Sequence, residues 1–222
     1  EVKVYAESQQ LTVLQPTNLK NVEFLAALKA LKAELQVVVA FRMLPEVVWD
    51  MPVLGSINLH GSLLPNYRGA APIHWAVING EKETGVSTFF LKHQIDTGNI
   101  IGQASLPIGE NDTTGEVYHA LMHLGADLLL KTLKSIDEES YKEMPQDLSK
   151  EAKHAPKIFK EDCEINWNKS AQDIHNMVRG LNPFPTAFTS IGGKNIKINT
   201  TRIYALDLLL SPGEAKVIEK KL

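Results

Sequence analysis

The run Val37-Val38-Val39-Ala40-Phe41 narrows the choice of fold more than any other stretch of the chain. Five apolar residues in a row, three of them β-branched, are typical of a parallel strand covered on both faces. Its surroundings support that reading. Before it, Asn21 suits a helix N-cap, and Phe24, Leu28, Leu31 and Leu35 follow at helical spacing. After it come a short helix from Pro45 to Trp49 and a strand from Ser56 to His60. Strands alternating with helices predict an α/β domain with right-handed crossovers.

The pattern continues on both sides. A short strand over Leu11 to Leu14, stopped by Pro16, would open the chain. Pro72 suits the first position of a helix through Ile78, ended by Asn79-Gly80. Strands follow at Gly85 to Leu91 and Asn99 to Leu106. Thr113 and Glu116 form a capping box that opens a long amphipathic helix to about Ile136. The first domain is therefore placed at 1–140. Residues 141–157 are polar, lack a period and contain Pro145 and Pro156, which reads as a linker crossing the surface. Residues 158–222 form a second domain. It has a helix over Ser170 to Leu181 and short strands at Ala187 to Ile191, Ile196 to Asn199 and Ile203 to Leu206, with a Gly192-Gly193 turn. That hairpin-rich pattern suits a small β-barrel.

Composition excludes several classes. The single cysteine, Cys163, leaves no internal disulfide framework and no Cys-rich zinc site, and fits a reducing compartment. The net charge of −3 argues against a protein that coats nucleic acid broadly. After Lys157, nine basic side chains face seven acidic ones, a slight excess in the direction a nucleic-acid partner favours. No run approaches the length of a membrane-spanning helix, and no signal-peptide pattern opens the chain.

The chemistry concentrates after the second strand. Side chains alternate along a strand, so Asn58 and His60 share one face, opposite Ile57 and Leu59. They project from a strand's carboxyl end, where open α/β sheets bind ligands. Such a pair can orient a carbonyl and move a proton, or can simply satisfy loop backbone groups. Asp96-Thr97-Gly98 is either an ordinary turn or a loop that delivers a carboxylate to His60. His119 and His123 lie four apart on the long helix, but the intervening Glu of a zinc-protease helix is missing, so they read as surface or packing residues. Gly61 and Gly69 lack the spacing of a phosphate loop.

The stretch Asn58-Leu59-His60-Gly61-Ser62-Leu63-Leu64-Pro65, followed by Tyr67-Arg68-Gly69-Ala70-Ala71-Pro72-Ile73 and Trp75, resembles the signature of the 10-formyltetrahydrofolate-dependent formyltransferases. Asp96-Thr97-Gly98 falls at that family's Asp-containing loop. Ala70-Ala71-Pro72-Ile73, Ile165-Asn166-Trp167 and Arg179 to Pro185 are most similar to the branch acting on methionyl-tRNA. The resemblance covers nearly the whole chain. It implies a Rossmann-like formyltransferase domain joined by a linker to an OB-like barrel that helps to hold tRNA. It also implies that the family's chain begins before Glu1, with a strand–helix unit and a loop inserted into the tRNA, and continues past Leu222.

Carried over residue by residue, the resemblance implies a catalytic trio of Asn58, His60 and Asp96. Its folate pocket falls on Ser62, Leu63, Leu64 and Pro65, on Arg42, Met43 and Leu44, and on the loop before Asp96. The expected reaction is formyl transfer to initiator methionyl-tRNA by a cytoplasmic or organellar monomer. 10-Formyltetrahydrofolate is then a consumed donor, with no bound cofactor, metal or membrane. Formyl transfer to an amino sugar nucleotide, hydrolysis of the formyl-folate and non-catalytic tRNA binding are the alternatives.

Overall fold

The computed structural model of the chain describes residues 2–40, 42–147, 149, 152–204 and 210–215. Helix α1 (Val2–Ser8) buries none of its residues. The residues that follow, through Leu14, make no strand: an apolar run needs a neighbouring strand to pair with, and none lies alongside. Helix α2 (Val22–Ala30) starts where expected, with the Asn21 carboxamide oxygen accepting from Phe24 N at 2.9 Å. It stops before Leu31 and Leu35, because Lys32 takes a left-handed backbone (φ 49°) that ends the turn.

Strand β1 (Gln36–Val39), helix α3 (Glu46–Trp49) and strand β2 (Ser56–His60) follow. β1 runs parallel to β2, pairing Val38 with Asn58 and Val39 with Leu59. It is not covered on both faces as its composition suggests. β1 is the edge strand of the described sheet, and Val37 and Val39 are 40% and 51% exposed. After the two-residue β3 (Arg68–Gly69) comes helix α4 (Pro72–Ile78), with proline at its first position. Strands β4 (Glu83–Phe90) and β5 (Ile100–Pro107) complete a mixed sheet of order β1-β2-β4-β5, in which β4 is antiparallel to both neighbours.

Helix α5 (Thr114–Asp137) begins at the predicted capping box. Its buried stripe of Val117, Leu121, Gly125, Leu128, Thr132 and Ile136 recurs every three or four residues and packs on β4 and β5. The core there joins Val117, Leu121 and Leu128 to Val86, with Ala76 and Val77 of α4. His119 and His123 lie on the exposed side, and the described residues hold no group of metal-binding side chains.

The segment at 141–157 differs from a plain surface linker. Met144 exchanges two backbone hydrogen bonds with Ile100 (2.8 and 2.9 Å), Gln146 is buried, and β6 (His154–Ala155) pairs with β3. The periodicity that marks helices and strands is absent, yet backbone hydrogen bonds hold the segment to the sheet.

Beyond it stand a 3-10 turn (Glu161–Cys163), helix α6 (Ala171–Gly180) capped by Ser170, and strands β7 (Ala187–Ile191) and β8 (Lys194–Ile198). The strands pair antiparallel across Gly192-Gly193. Cys163, Ile165, Val178, Leu181 and Ala187 form a second core, against which Ile78 of α4 also packs. The strand expected from Ile203 is not formed at Ile203 and Tyr204, and its remainder lies outside the described residues. Among the described residues this half contributes one hairpin and an isolated bridge between Glu164 and Phe188.

Candidate active site

Strand β2 delivers Asn58 and His60 to one face, as its alternation requires. On the other face Leu59 reaches the core against Gly125. His60 is buried, its imidazole edge-on to Phe89 at 6.5 Å. Its Nε2 lies 2.8 Å from the Tyr67 carbonyl oxygen. A carbonyl only accepts, so Nε2 carries a proton and donates it there. The nitrogen left to gain or lose a proton is Nδ1, which faces Asp96 Oδ2 at 3.9 Å. These two side chains are 7% and 11% exposed. At 3.9 Å they are too far apart for a direct hydrogen bond, but one small polar group can touch both. Half-buried Asn58 makes no side-chain hydrogen bond to another described residue, so its amide N–H groups are available.

Asp96 reaches this position on a loop with a left-handed backbone (φ 54°). Aspartate is among the few non-glycine residues that adopt this conformation readily, and here the surroundings hold it. Gly69 N donates to Asp96 Oδ2 at 3.0 Å. The Asp96 carbonyl accepts from Arg68 Nε (3.1 Å) and Gln146 Nε2 (2.9 Å). Two residues on, Gly98 passes so close to β4 that an added Cβ would lie 1.6 Å from the Phe90 carbonyl oxygen.

Tyr67 is pinned at both ends. Its left-handed backbone (φ 61°) turns the carbonyl toward His60, while its N–H donates to the Lys153 carbonyl. Its hydroxyl donates to the Glu81 carboxylate and accepts from Asn79 Nδ2 at 3.2 Å. Burial, with the Glu81 hydrogen bond beside it, pushes the Tyr67 phenol well above its ordinary range. Burial alone would raise the Glu81 carboxyl, but the hydrogen bonds from Lys153 and Tyr67 outweigh it and hold the carboxyl low.

The other residues singled out in the sequence divide between core and rim. Leu64 packs with Phe89 and Ile100, and Ser62 is fully buried, its hydroxyl donating to the Asn66 carbonyl at 2.7 Å. Ser87 and Gln103 hold this loop through the Leu64 N–H and carbonyl, at 3.1 and 3.0 Å. Leu63 and Pro65 are half-buried. Arg42, Met43 and Leu44 follow β1 at the same carboxyl edge as His60. Arg42 donates to the carbonyls of Pro16 (2.8 Å) and Thr17 (3.2 Å), and Met43 is exposed. A cleft of about 570 Å³ opens beside the loop that carries Asp96, lined by Trp49, Lys92, His93, Gln94, Thr97 and Gln146 among others but not by Asn58, His60 or Asp96 themselves. Its size suits a small organic ligand.

Residues 1–133 match the model of the formyl transferase family, and residues 157–221 match that of the formyl transferase C-terminal domain. The chain belongs to the formyl transferase family. It is 56% identical over 194 residues to a methionyl-tRNA formyltransferase of Azobacteroides pseudotrichonymphae, covering 86% of this chain and 60% of that protein. It is 50% identical over 220 residues to that of Bacteroides fragilis, covering 96% and 68%. The chain thus spans about two thirds or less of these curated relatives. Among solved structures, an N-formyltransferase from Helicobacter canadensis, in complex with folinic acid and dTDP-3-aminofucose, superposes with a TM-score of 0.68 at 26% identity over 88% of this chain and 68% of that one. HypX from Aquifex aeolicus, in complex with tetrahydrofolic acid, shares the fold with a TM-score of 0.68 at 21% identity over 86% and 33%.

Several residues at this candidate site carried no functional signal of their own in the sequence. Tyr67, Arg68 and Gly69 lie within the resembling stretch, but two of them act through backbone atoms, which residue type does not reveal. Gln146 and Lys153 sit in the unpatterned segment, where nothing marks them.

Proposed function

We propose that the protein transfers the formyl group of 10-formyltetrahydrofolate to the amino group of methionine on initiator methionyl-tRNA. The observation that carries this reading is the fixed tautomer of His60, which turns Nδ1 toward Asp96 with Asn58 free on the same strand face. The relatives' name, shared at 50–56% identity, supplies the acceptor. The amine attacks the formyl carbon and forms a C–N bond. Asn58 and the protonated Nδ1 of His60 donate to the oxyanion that develops. Asp96, directly or through a water, takes the proton that the amine loses. The bond from carbon to the folate N10 then breaks, and that nitrogen receives the proton.

In this reading Arg42, Met43, Leu44, Ser62, Leu63, Leu64 and Pro65 frame the folate pocket. The cleft beside the Asp96 loop receives part of the donor. Residues 1–140 form the catalytic domain and 141–157 the linker. Residues 158–222 belong to an OB-like domain that holds tRNA. The protein works as a monomer in the cytoplasm of a bacterium. No described helix is long and apolar enough to cross a membrane.

The test supplies the intact protein with formyl-labelled donor and three acceptors: initiator methionyl-tRNA, an amino sugar nucleotide, and water alone. Label on the tRNA supports the proposal; label on the sugar, or released formate without an acceptor, overturns the assigned substrate. Asn58→Ala, His60→Ala and Asp96→Asn should each lower kcat by about 10²-fold or more while the protein stays folded, as read by circular dichroism. Near-full turnover by Asp96→Asn would remove Asp96 from the mechanism.

A further inference from the structure

We propose that Gln146 is the positioning residue for Asp96, and that the segment joining the two halves of the chain is thereby part of the active site. The inference rests on the catalytic reading of Asp96 given above. The Gln146 carboxamide is fully used. Its Nε2 donates to the carbonyls of Asp96 (2.9 Å) and Gly98 (2.7 Å), and its Oε1 accepts from Arg68 Nε (3.2 Å) and Nη2 (2.6 Å). Its two carbonyl partners are Asp96's own and the one two residues on, so it grips the loop just after the Asp96 side chain. Arg68 Nε closes the ring by donating to the same Asp96 carbonyl at 3.1 Å.

This arrangement divides the work of holding Asp96. Gly69 N fixes one carboxylate oxygen at 3.0 Å. Gln146 and Arg68 fix the peptide behind it, which has a left-handed backbone (φ 54°). Rotation of that peptide would swing Oδ2 away from His60 Nδ1 and from the group the two must share. Gln146 is itself held. Two residues earlier Met144 pairs with Ile100, and later β6 pairs with β3, whose Arg68 and Gly69 are the other two holders. A stretch serving only as a spacer has no use for a buried carboxamide that saturates one loop. A misplacement of about 1 Å at a reacting group can cost ~10²-fold in rate.

The test is a double-mutant cycle in the intact protein, read as kcat for formyl transfer together with the thermal midpoint. Gln146→Met removes all four hydrogen bonds at similar volume. Gln146→Glu keeps an acceptor for Arg68 but loses both donors, and provides the cycle if the Met variant does not fold. Each should lower kcat by about tenfold or more in the wild-type background, yet by less than about twofold in the Asp96→Asn background, where nothing remains to be positioned. Losses of equal size in both backgrounds would overturn the proposal, as would wild-type kcat in Gln146→Glu. A fully active Asp96→Asn protein would instead overturn the catalytic reading on which it rests, so the two failures are told apart.

Discussion

At the scale of single residues, the site depends on places where backbones nearly touch. Gly98 admits no side chain, since a Cβ there would overlap the Phe90 carbonyl oxygen. Gly98→Ala must displace the loop that carries Asp96 two residues earlier. The expected result is a loss of kcat of about tenfold or more together with a lower thermal midpoint, in contrast to Asp96→Asn, which should lose turnover alone. The comparison separates loop geometry from carboxylate chemistry. Single residues also show what a sequence can display. Asn58 and His60 were legible because a strand's period of two puts them side by side wherever the strand lies. The Tyr67 carbonyl that fixes the His60 tautomer was not, because no residue type signals that φ will be 61°.

At the scale of elements, the strongest local signals were hydrogen-bonded caps. Thr113 and Glu116 form the capping box of α5, with Thr113 N donating to Glu116 Oε2 at 2.8 Å and Glu116 N to Thr113 Oγ1 at 3.3 Å. Thr113→Ala should cost about 1 kcal/mol of stability, read as a shift in the denaturation midpoint. The hydrogen bonds from the Thr113 backbone and hydroxyl hold the Glu116 carboxyl below its ordinary pKa. A carboxyl depressed by folding stabilises the fold above its unfolded pKa, and that stabilisation fades as the pH falls through the folded value. Glu116→Gln should therefore be less stable than wild type at neutral pH. The gap, followed by circular dichroism across an acid titration, should close below pH about 4. Element ends without such signals do not show in the sequence. Helix α2 stops at Ala30 though its apolar spacing runs on to Leu35, because periodicity does not register the left-handed Lys32. The ties of Met144, Gln146 and His154–Ala155 to the rest of the domain were equally silent, since all but those of the Gln146 carboxamide use backbone atoms.

At the scale of the whole molecule, the two halves meet where α6 crosses α4. Gly180 lies so close that a Cβ would sit 2.4 Å from Ile78 Cγ1. The start of α5, whose first amides lack partners within the helix, is completed by the second half: Gly115 N donates to the Asn182 carbonyl at 3.1 Å. Thr114 Oγ1 donates to the Gly180 carbonyl at 2.7 Å. Buried Arg179 spans the junction, donating to the carbonyls of Gly109 (3.2 Å) and Asp112 (2.9 Å) and to Asn176 Oδ1 (2.9 Å). Arg179→Met leaves those acceptors without their donor and should cost about 2–3 kcal/mol. It should appear as a lower thermal midpoint and as faster proteolysis near Pro156. Composition had suggested Arg179 only as one charge in a slightly basic half. Its burial between carbonyls became visible once the two halves were placed together.

The return of the chain from Met144 to Ala155 bears on how the gene can be divided. Read along the sequence, the natural place to cut is just after α5, where helical order ends. A polypeptide ending there would lose the β6 edge beside Arg68 and Gly69, the Lys153 carbonyl that holds Tyr67, and the carboxamide behind Asp96. It would keep Asn58, His60 and Asp96 and the frame of the sheet. The stretch that holds these three side chains in place therefore reaches at least through Pro156, whose carbonyl receives the Trp75 indole N–H. Exchange of C-terminal halves between relatives should succeed only when the crossover lies beyond that point.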